Sequence, residues 1–175
     1  MLKKEANKIT CGLSAPSKMP GPAYNLPATQ CITGAKLVKI PGSVCHGCYA
    51  LKGRYNFSNV RLALARRLES LKHPRWVEAM VALIHGEPHF RWHDSGDLQS
   101  AWHLKQIFEV CNRTPETRHW LPTREARFLS LMDPDIVPPN LIIRMSSHMI
   151  DQPPVKFWPW TSTVTSGHDA SCPAP

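Results

Sequence analysis

The chain has 175 residues, 42% of them hydrophobic, and a formal net charge of +8. These values predict one globular domain over residues 1–175 and exclude a disordered chain, and the charge favours anionic partners such as nucleic acid or an acidic substrate. The sequence contains no long apolar run and no signal-peptide core near its start, so we expect a cytoplasmic protein that does not enter a membrane.

Residues 1–55 are rich in proline and glycine, which predicts an irregular N-terminal wrap without a long regular element. Three cysteines, Cys31, Cys45 and Cys48, lie in this wrap just before the first predicted helix. A reducing cytoplasm disfavours disulfides, so these thiols are predicted metal ligands. A Cys-x-x-Cys pair can reach one zinc ion or two corners of an iron–sulfur cluster without backbone strain.

A fourth ligand decides whether such a site is closed or open to a substrate, because structural zinc normally has four protein ligands. The candidates are Cys11, His46 and Cys172, and we favour Cys172. His46 lies inside the Cys-x-x-Cys bite, where turning toward the same ion is difficult. Cys111 lies on the apolar side of a predicted helix and is better explained as a buried small side chain.

Residues 56–165 are predicted to form a β/α core, followed by a tail at 166–175. Apolar residues at helical spacing predict helices over 59–71, 75–84 and 99–111, with a short helical stretch ending near 131. Four short apolar or aromatic runs predict strands at 89–92, 119–121, 141–143 and 157–160. This alternation predicts an α/β fold with mostly parallel strands, arranged as a partial (β/α) barrel.

Each predicted strand ends in a polar cluster, and the carboxyl ends of parallel strands meet at one edge of a sheet. His93 and Asp94 suit a proton-transfer pair. Asp97 follows Gly96, which lets the backbone approach a ligand closely. The alternative is that residues 94–96 only form a turn that caps the next helix.

Arginines at two further strand ends add anion-binding groups. Arg144 with Ser146 suits a carboxylate or phosphate, since a guanidinium presents a planar fork of donors. Arg124 either contacts a substrate or forms a salt bridge with Glu125. The arginines between 54 and 75 could contact nucleic acid, but a solvated helix face explains them better.

Four blocks of the sequence resemble the phage-borne gene-product-88-like family: Ser14–Pro20, Gly42–Gly53, Phe90–Asp97 and Trp120–Glu125. The resemblance covers nearly the whole chain and implies a protein of an infected host cell, with virion association open. It does not imply an activity, because the family's biochemistry is poorly defined.

A more distant similarity is to radical S-adenosylmethionine enzymes, whose partial barrel carries a three-cysteine [4Fe–4S] cluster. Ser95-Gly96-Asp97 resembles their Gly-Gly-Glu turn, which implies that residues 95–97 and Ser146 contact a cofactor such as S-adenosylmethionine. The spacing departs from their pattern, because 13 residues separate Cys31 from Cys45.

The leading hypothesis from the sequence is an iron–sulfur protein whose [4Fe–4S] cluster is held by Cys31, Cys45, Cys48 and Cys172. In this hypothesis the cluster faces catalytic groups on the strand ends: His93, Asp94, Asp97, Arg124 and Arg144. Two alternatives stay open: a non-enzymatic module with structural iron–sulfur or zinc that binds nucleic acid or a protein, and metal-assisted hydrolysis by His93 and Asp94. The sequence leaves the substrate and the oligomeric state open.

Overall fold

A computed structural model describes residues 1–17 and 19–167. Cys172, the favoured fourth ligand, and most of the predicted tail lie outside these residues. The helices are α1 (Lys3–Thr10), α2 (Gly34–Leu37), α3 (Ser58–Ser70), α4 (Trp76–Ile84) and α5 (Ala101–Asn112). The strands are β1 (Ala23–Tyr24), β2 (His89–Trp92), β3 (Arg118–Thr123), β4 (Leu141–Ser146) and β5 (Thr161–Ser162).

The five strands form one open sheet in which every pair is parallel and the strand order β1-β2-β3-β4-β5 follows the chain. The predicted α/β class with parallel strands is therefore confirmed, and the sheet does not close on itself. All five strands point the same way, so their carboxyl ends lie at one edge.

Helices α4 and α5 pack against one face of this sheet. Phe90, Trp92, Leu121 and Ile143 alternate along the central strands and join one buried cluster with residues of α4 and α5. Helix α4 is apolar on most sides, and α5 begins where the Ser100 side chain accepts a hydrogen bond from the His103 backbone N–H at 3.0 Å. The other sheet face carries the intervening residues, which are partly exposed.

The N-terminal segment is more regular than the sequence predicts. Helix α1 forms because the first proline is Pro16, so nothing interrupts residues 3–10. Ala6 of α1 is fully buried against Ala79 and Leu83 of α4. Strand β1 then adds to the edge of the sheet beside β2, pairing Ala23 with Arg91.

Two predicted elements near the C-terminal end are wrong in place or length. The strand predicted at 157–160 is instead β5 at Thr161–Ser162, because Trp158 turns into the core and donates its indole N–H to the Ile143 carbonyl at 2.8 Å. The helical stretch predicted after Glu125 is only a 3₁₀ turn, Ala126–Phe128.

Candidate functional site

A cavity of about 400 Å³ lies at the carboxyl edge of the sheet. Its wall combines the three predicted thiol ligands with strand-end groups that the sequence analysis selected: Cys31, Cys45, Cys48, His93, Asp94, Ser95, Gly96, Asp97, Arg124 and Ser146. Tyr49, Arg91 and Pro122 also line this cavity. The structure thus brings together residues that are up to 115 positions apart in the sequence, from Cys31 to Ser146.

The thiols surround a space that Gly34 keeps open. A Cβ at Gly34 would stand 3.6 Å from Cys31 Sγ, 3.7 Å from Cys45 Sγ and 2.9 Å from Cys31 Cβ. Within residues 1–17 and 19–167, however, no group of three or more His, Cys, Asp or Glu side chains is arranged to hold a metal ion. The thiols therefore share a cavity without converging on one point.

Cys31 and Cys45 lie in surroundings that disfavour negative charge. Burial, and then the neighbouring Asp97 carboxylate, raise the pKa of Cys31 to about 12. Burial also raises the pKa of Cys45, while the Arg124 guanidinium acts in the opposite direction. Thiolates here need a nearby positive charge, which either Arg124 or a bound metal would supply.

His93 reaches the cavity from an unusual backbone conformation. Its φ of 59° lies in the left-handed region, and the residue is 3% exposed. Neither ring nitrogen has a hydrogen-bond partner among the described residues, and burial holds the pKa of His93 well below its usual value. The ring packs edge-on against the buried His103 ring, with 5.3 Å between the centroids, so His93 is a neutral imidazole at the boundary between the core and the cavity.

Asp94 is held by two tyrosines of the cysteine-containing segment. Tyr55 donates its hydroxyl to Asp94 Oδ2 at 2.7 Å, and the Tyr49 hydroxyl donates to the Asp94 carbonyl. Arg91 Nη1 lies 3.3 Å from Asp94 Oδ1. Asp94 therefore links β2 to the loop that follows Cys48, and this network uses much of its hydrogen-bonding capacity.

The turn at residues 95–97 is packed against the chain that follows β1. Ser95 donates its hydroxyl to the Leu26 carbonyl at 2.9 Å. Gly96 has a φ of 81°, and a Cβ there would stand 2.7 Å from the same carbonyl oxygen. Only glycine fits at this position, because the φ is positive and because a Cβ would collide with the Leu26 backbone.

The Asp97 carboxylate is buried and already accepts three hydrogen bonds. The donors are the Thr123 hydroxyl at 2.6 Å and the backbone N–H groups of Leu98 and Arg124 at 2.7 and 2.9 Å. Burial nevertheless raises the pKa of Asp97 to about 6. These contacts join the ends of β2 and β3, so Asp97 fixes the cavity wall.

Glu125 contacts the cysteine segment and not Arg124. Its two carboxylate oxygens accept hydrogen bonds from the Thr33 backbone N–H at 2.7 Å and the Thr33 hydroxyl at 2.9 Å. The charged partner near Glu125 is Arg127, at 3.6 Å. Of the two alternatives for Arg124, the salt bridge with Glu125 is wrong, and Arg124 lines the cavity.

Arg144 lies apart from the cavity wall. It donates to the Thr161 carbonyl at 3.1 Å on the partly exposed sheet face, whereas Ser146 reaches the cavity and contacts the Ser162 hydroxyl at 2.9 Å. Cys11 lies on a separate cavity beside α3, and an imidazole nitrogen of His46 is 3.2 Å from the Val38 carbonyl. Cys111 is fully buried in the core, as its helix position predicts.

Sequence reasoning missed four residues that shape this site: Thr33, Tyr49, Tyr55 and Arg91. Tyr49 directly follows Cys48, which was the one available signal. The roles of Thr33 and Tyr55 depend on contacts with Glu125 and Asp94, 92 and 39 residues away. No local pattern could reveal them.

The model of the family described as Gene product 88 matches residues 1–166 of the chain. This chain belongs to the Gene product 88 family. The family assignment confirms the resemblance found in the sequence and makes this a bacteriophage protein. No curated protein and no solved structure gives a significant match, so these comparisons do not support similarity to radical S-adenosylmethionine enzymes.

In the part of the chain that the structure describes, no helix combines sufficient length with sufficient apolarity to cross a bilayer.

Proposed function

We propose that this Gene product 88 protein binds a [4Fe–4S] cluster through Cys31, Cys45 and Cys48. The observation that carries the proposal is that these thiols line one cavity with the polar ends of β2, β3 and β4. Gly34 supports the same conclusion, because its missing side chain leaves space within 3.7 Å of both the Cys31 and the Cys45 sulfur.

A cluster fits this arrangement better than a single zinc ion does. A zinc ion needs sulfurs that converge at about 2.3 Å from one point. Cysteines that bind a cluster each take a different corner, so their sulfurs stand apart around a larger body. Cys172 is proposed as the fourth ligand; a cluster with only three protein ligands would leave one iron open to the cavity.

A bound cluster would supply electron transfer, and at an open iron also a binding position for a ligand. The chain's own residues would orient that ligand. His93 borders the cavity, and its ring nitrogens have no hydrogen-bond partner among the described residues, while Arg124 can contact an anionic group. Asp97 and Glu125 hold the walls in place, because their carboxylates are engaged with Thr123 and Thr33.

The ligand that we propose is S-adenosylmethionine, bound in a partial barrel. The strand order β1-β2-β3-β4-β5, which follows the chain, supports a barrel-like arrangement over a doubly wound one. The cavity volume of about 400 Å³ lies in the range of small-molecule sites, roughly 300–1,000 Å³. The turn at residues 95–97 borders the same cavity as the thiols.

The test is anaerobic purification followed by iron, sulfide and zinc analysis and an absorption spectrum. We expect iron and sulfide in equal amounts, and their loss in Cys31→Ser, Cys45→Ser and Cys48→Ser. Cys111→Ser is the matched control and should keep the cluster. Colourless protein with zinc and no sulfide would refute the cluster and favour a structural zinc module.

S-adenosylmethionine binding is tested separately by equilibrium dialysis of the reconstituted protein. We expect binding that is lost in Cys31→Ser and weakened in His93→Ala. If the cluster is present but the ligand does not bind, the ligand proposal fails while the cluster proposal stands. If Cys172→Ser leaves the iron and sulfide content unchanged, the cluster is held by three cysteines.

A further inference from the structure

The sheet face opposite α4 and α5 forms a continuous surface that we call the open sheet face: Arg91, Arg118, Trp120, Ile142 and Arg144. Alternation along β3 and β4 places buried and more exposed residues on opposite faces. The register sets Arg91, Trp120 and Ile142 side by side across three strands.

This face combines three arginines with a tryptophan and an isoleucine, and it is partly open to solvent. Ile142 is 45% exposed and Arg118 is exposed, whereas Trp120 is half-buried. Parallel sheets are normally covered on both faces, because their strands are apolar on both sides. An uncovered face with large side chains therefore indicates a binding surface.

The charge of the face indicates what binds there. Strands β2, β3 and β4 contain three arginines and no acidic residue. Arg91 is near Asp94, but among the described residues neither Arg118 nor Arg144 has an acidic partner. A second copy of the chain placed face to face would set arginines against arginines, which opposes a symmetric dimer.

The aromatic ring of this face indicates the same class of partner. The Arg91 guanidinium carbon lies 4.7 Å from the centroid of the Trp120 ring, a cation–π contact that orders both groups. A partly exposed aromatic ring among arginines on a sheet suits the stacking of unpaired bases and the neutralisation of phosphates. Duplex nucleic acid would not offer its base faces to such a ring.

We propose that the open sheet face binds single-stranded nucleic acid. The face continues into the thiol cavity, because Arg91, Pro122 and Ser146 line that cavity. A bound strand would therefore run toward the carboxyl edge of the sheet. This binding site goes beyond the proposed cluster and does not depend on it.

The test is fluorescence anisotropy with labelled oligouridylate and oligothymidylate over a series of salt concentrations. We expect both to bind, with affinity falling as salt rises. The plot of log K against log salt has a negative slope. Arg118→Glu should make this slope shallower by about one or more, because a phosphate contact is lost. Trp120→Ala should weaken binding on the order of tenfold, and Trp120→Phe should restore part of it.

Matched controls separate this face from general basicity. Arg66→Glu makes the same charge change on the exposed side of α3, and Trp102→Ala removes an exposed tryptophan from α5. Both should bind like the unchanged protein. Circular dichroism melts of each variant show whether it is folded.

Three outcomes would overturn the proposal. The first is equal weakening by Arg118→Glu and Arg66→Glu, which would indicate only non-specific attraction. The second is binding that Trp120→Ala leaves unchanged in a folded variant. The third is no binding of either oligonucleotide. If the protein then self-associates and Trp120→Ala abolishes that association, the face is an interface between copies of the chain.

Discussion

Glu125 is fully buried and lies two residues after the end of β3. Its carboxylate accepts two hydrogen bonds from Thr33, which follows Cys31 by two residues. This pair fixes the first thiol loop against the carboxyl edge of the sheet. The contact spans 92 residues of sequence and lies directly beside the cavity.

Replacing Glu125 should therefore damage both stability and the site. Glu125→Ala removes the acceptor for two donors, and we expect a loss of about 2–3 kcal/mol in the free energy of unfolding, with lower iron content. Urea denaturation and iron analysis measure the two effects. Thr33→Val is the milder control: it removes the hydroxyl and keeps the backbone N–H, so we expect about 1 kcal/mol. Full stability of Glu125→Ala would contradict this role.

Gly96 should tolerate no side chain. Gly96→Ala adds a Cβ that meets the Leu26 backbone at 2.7 Å, in addition to the cost of a positive φ, and we expect a destabilisation of about 3 kcal/mol. Gly86→Ala is a matched control because Gly86 has a similar φ of 87° but open space around its Cβ position. It should cost about 1 kcal/mol. Thermal melts compare them, and equal losses would show that the Leu26 contact is unimportant.

His103 should make the fold sensitive to acid. Burial lowers the pKa of His103 to about 3, whereas an unfolded histidine has a pKa of about 6.5. The unfolded chain therefore binds more protons below pH 6.5, so this contribution to stability is complete above that pH and falls as the pH drops toward 3. Burial lowers the pKa of His119 to about 4, with the same sign.

Unfolding by urea at a series of pH values measures this dependence. His103→Leu should show a smaller loss of stability between pH 7 and pH 4 than the unchanged protein. His85→Gln, at an exposed histidine, serves as the control and should keep the full dependence. An unchanged slope in His103→Leu would rule out this histidine as a source of acid sensitivity.

Arg124 should raise the reduction potential of the proposed cluster. Its guanidinium favours the charged form of Cys45, so Arg124→Gln removes positive charge beside the thiols and should shift the reduction potential of the cluster to more negative values. Redox titration followed by electron paramagnetic resonance measures the shift. Arg127→Gln removes an equal charge from an exposed position and should have a smaller effect. A shift to more positive values would contradict this assignment.

The sequence by itself determined the parallel α/β class and the family. Apolar runs such as 141–143 and helical spacing such as 59–71 are local, so they can be recognised without knowledge of distant contacts. The same reasoning selected His93, Asp97 and Arg124, because polar residues after strands collect at one edge of a parallel sheet.

Tertiary structure alone decided how those residues are used. Asp97 and Glu125 look like equivalent acids in the sequence, but Asp97 joins two strand ends and Glu125 holds the loop after Cys31. Trp158 is not part of a strand, because its indole N–H donates to the carbonyl of the buried residue Ile143. Arg144 shares the open face with Ser146, yet it lies two residues before the carboxyl end of β4 and donates to the Thr161 carbonyl, outside the cavity wall. Such outcomes depend on partners far away in the chain, and local sequence patterns do not encode those partners.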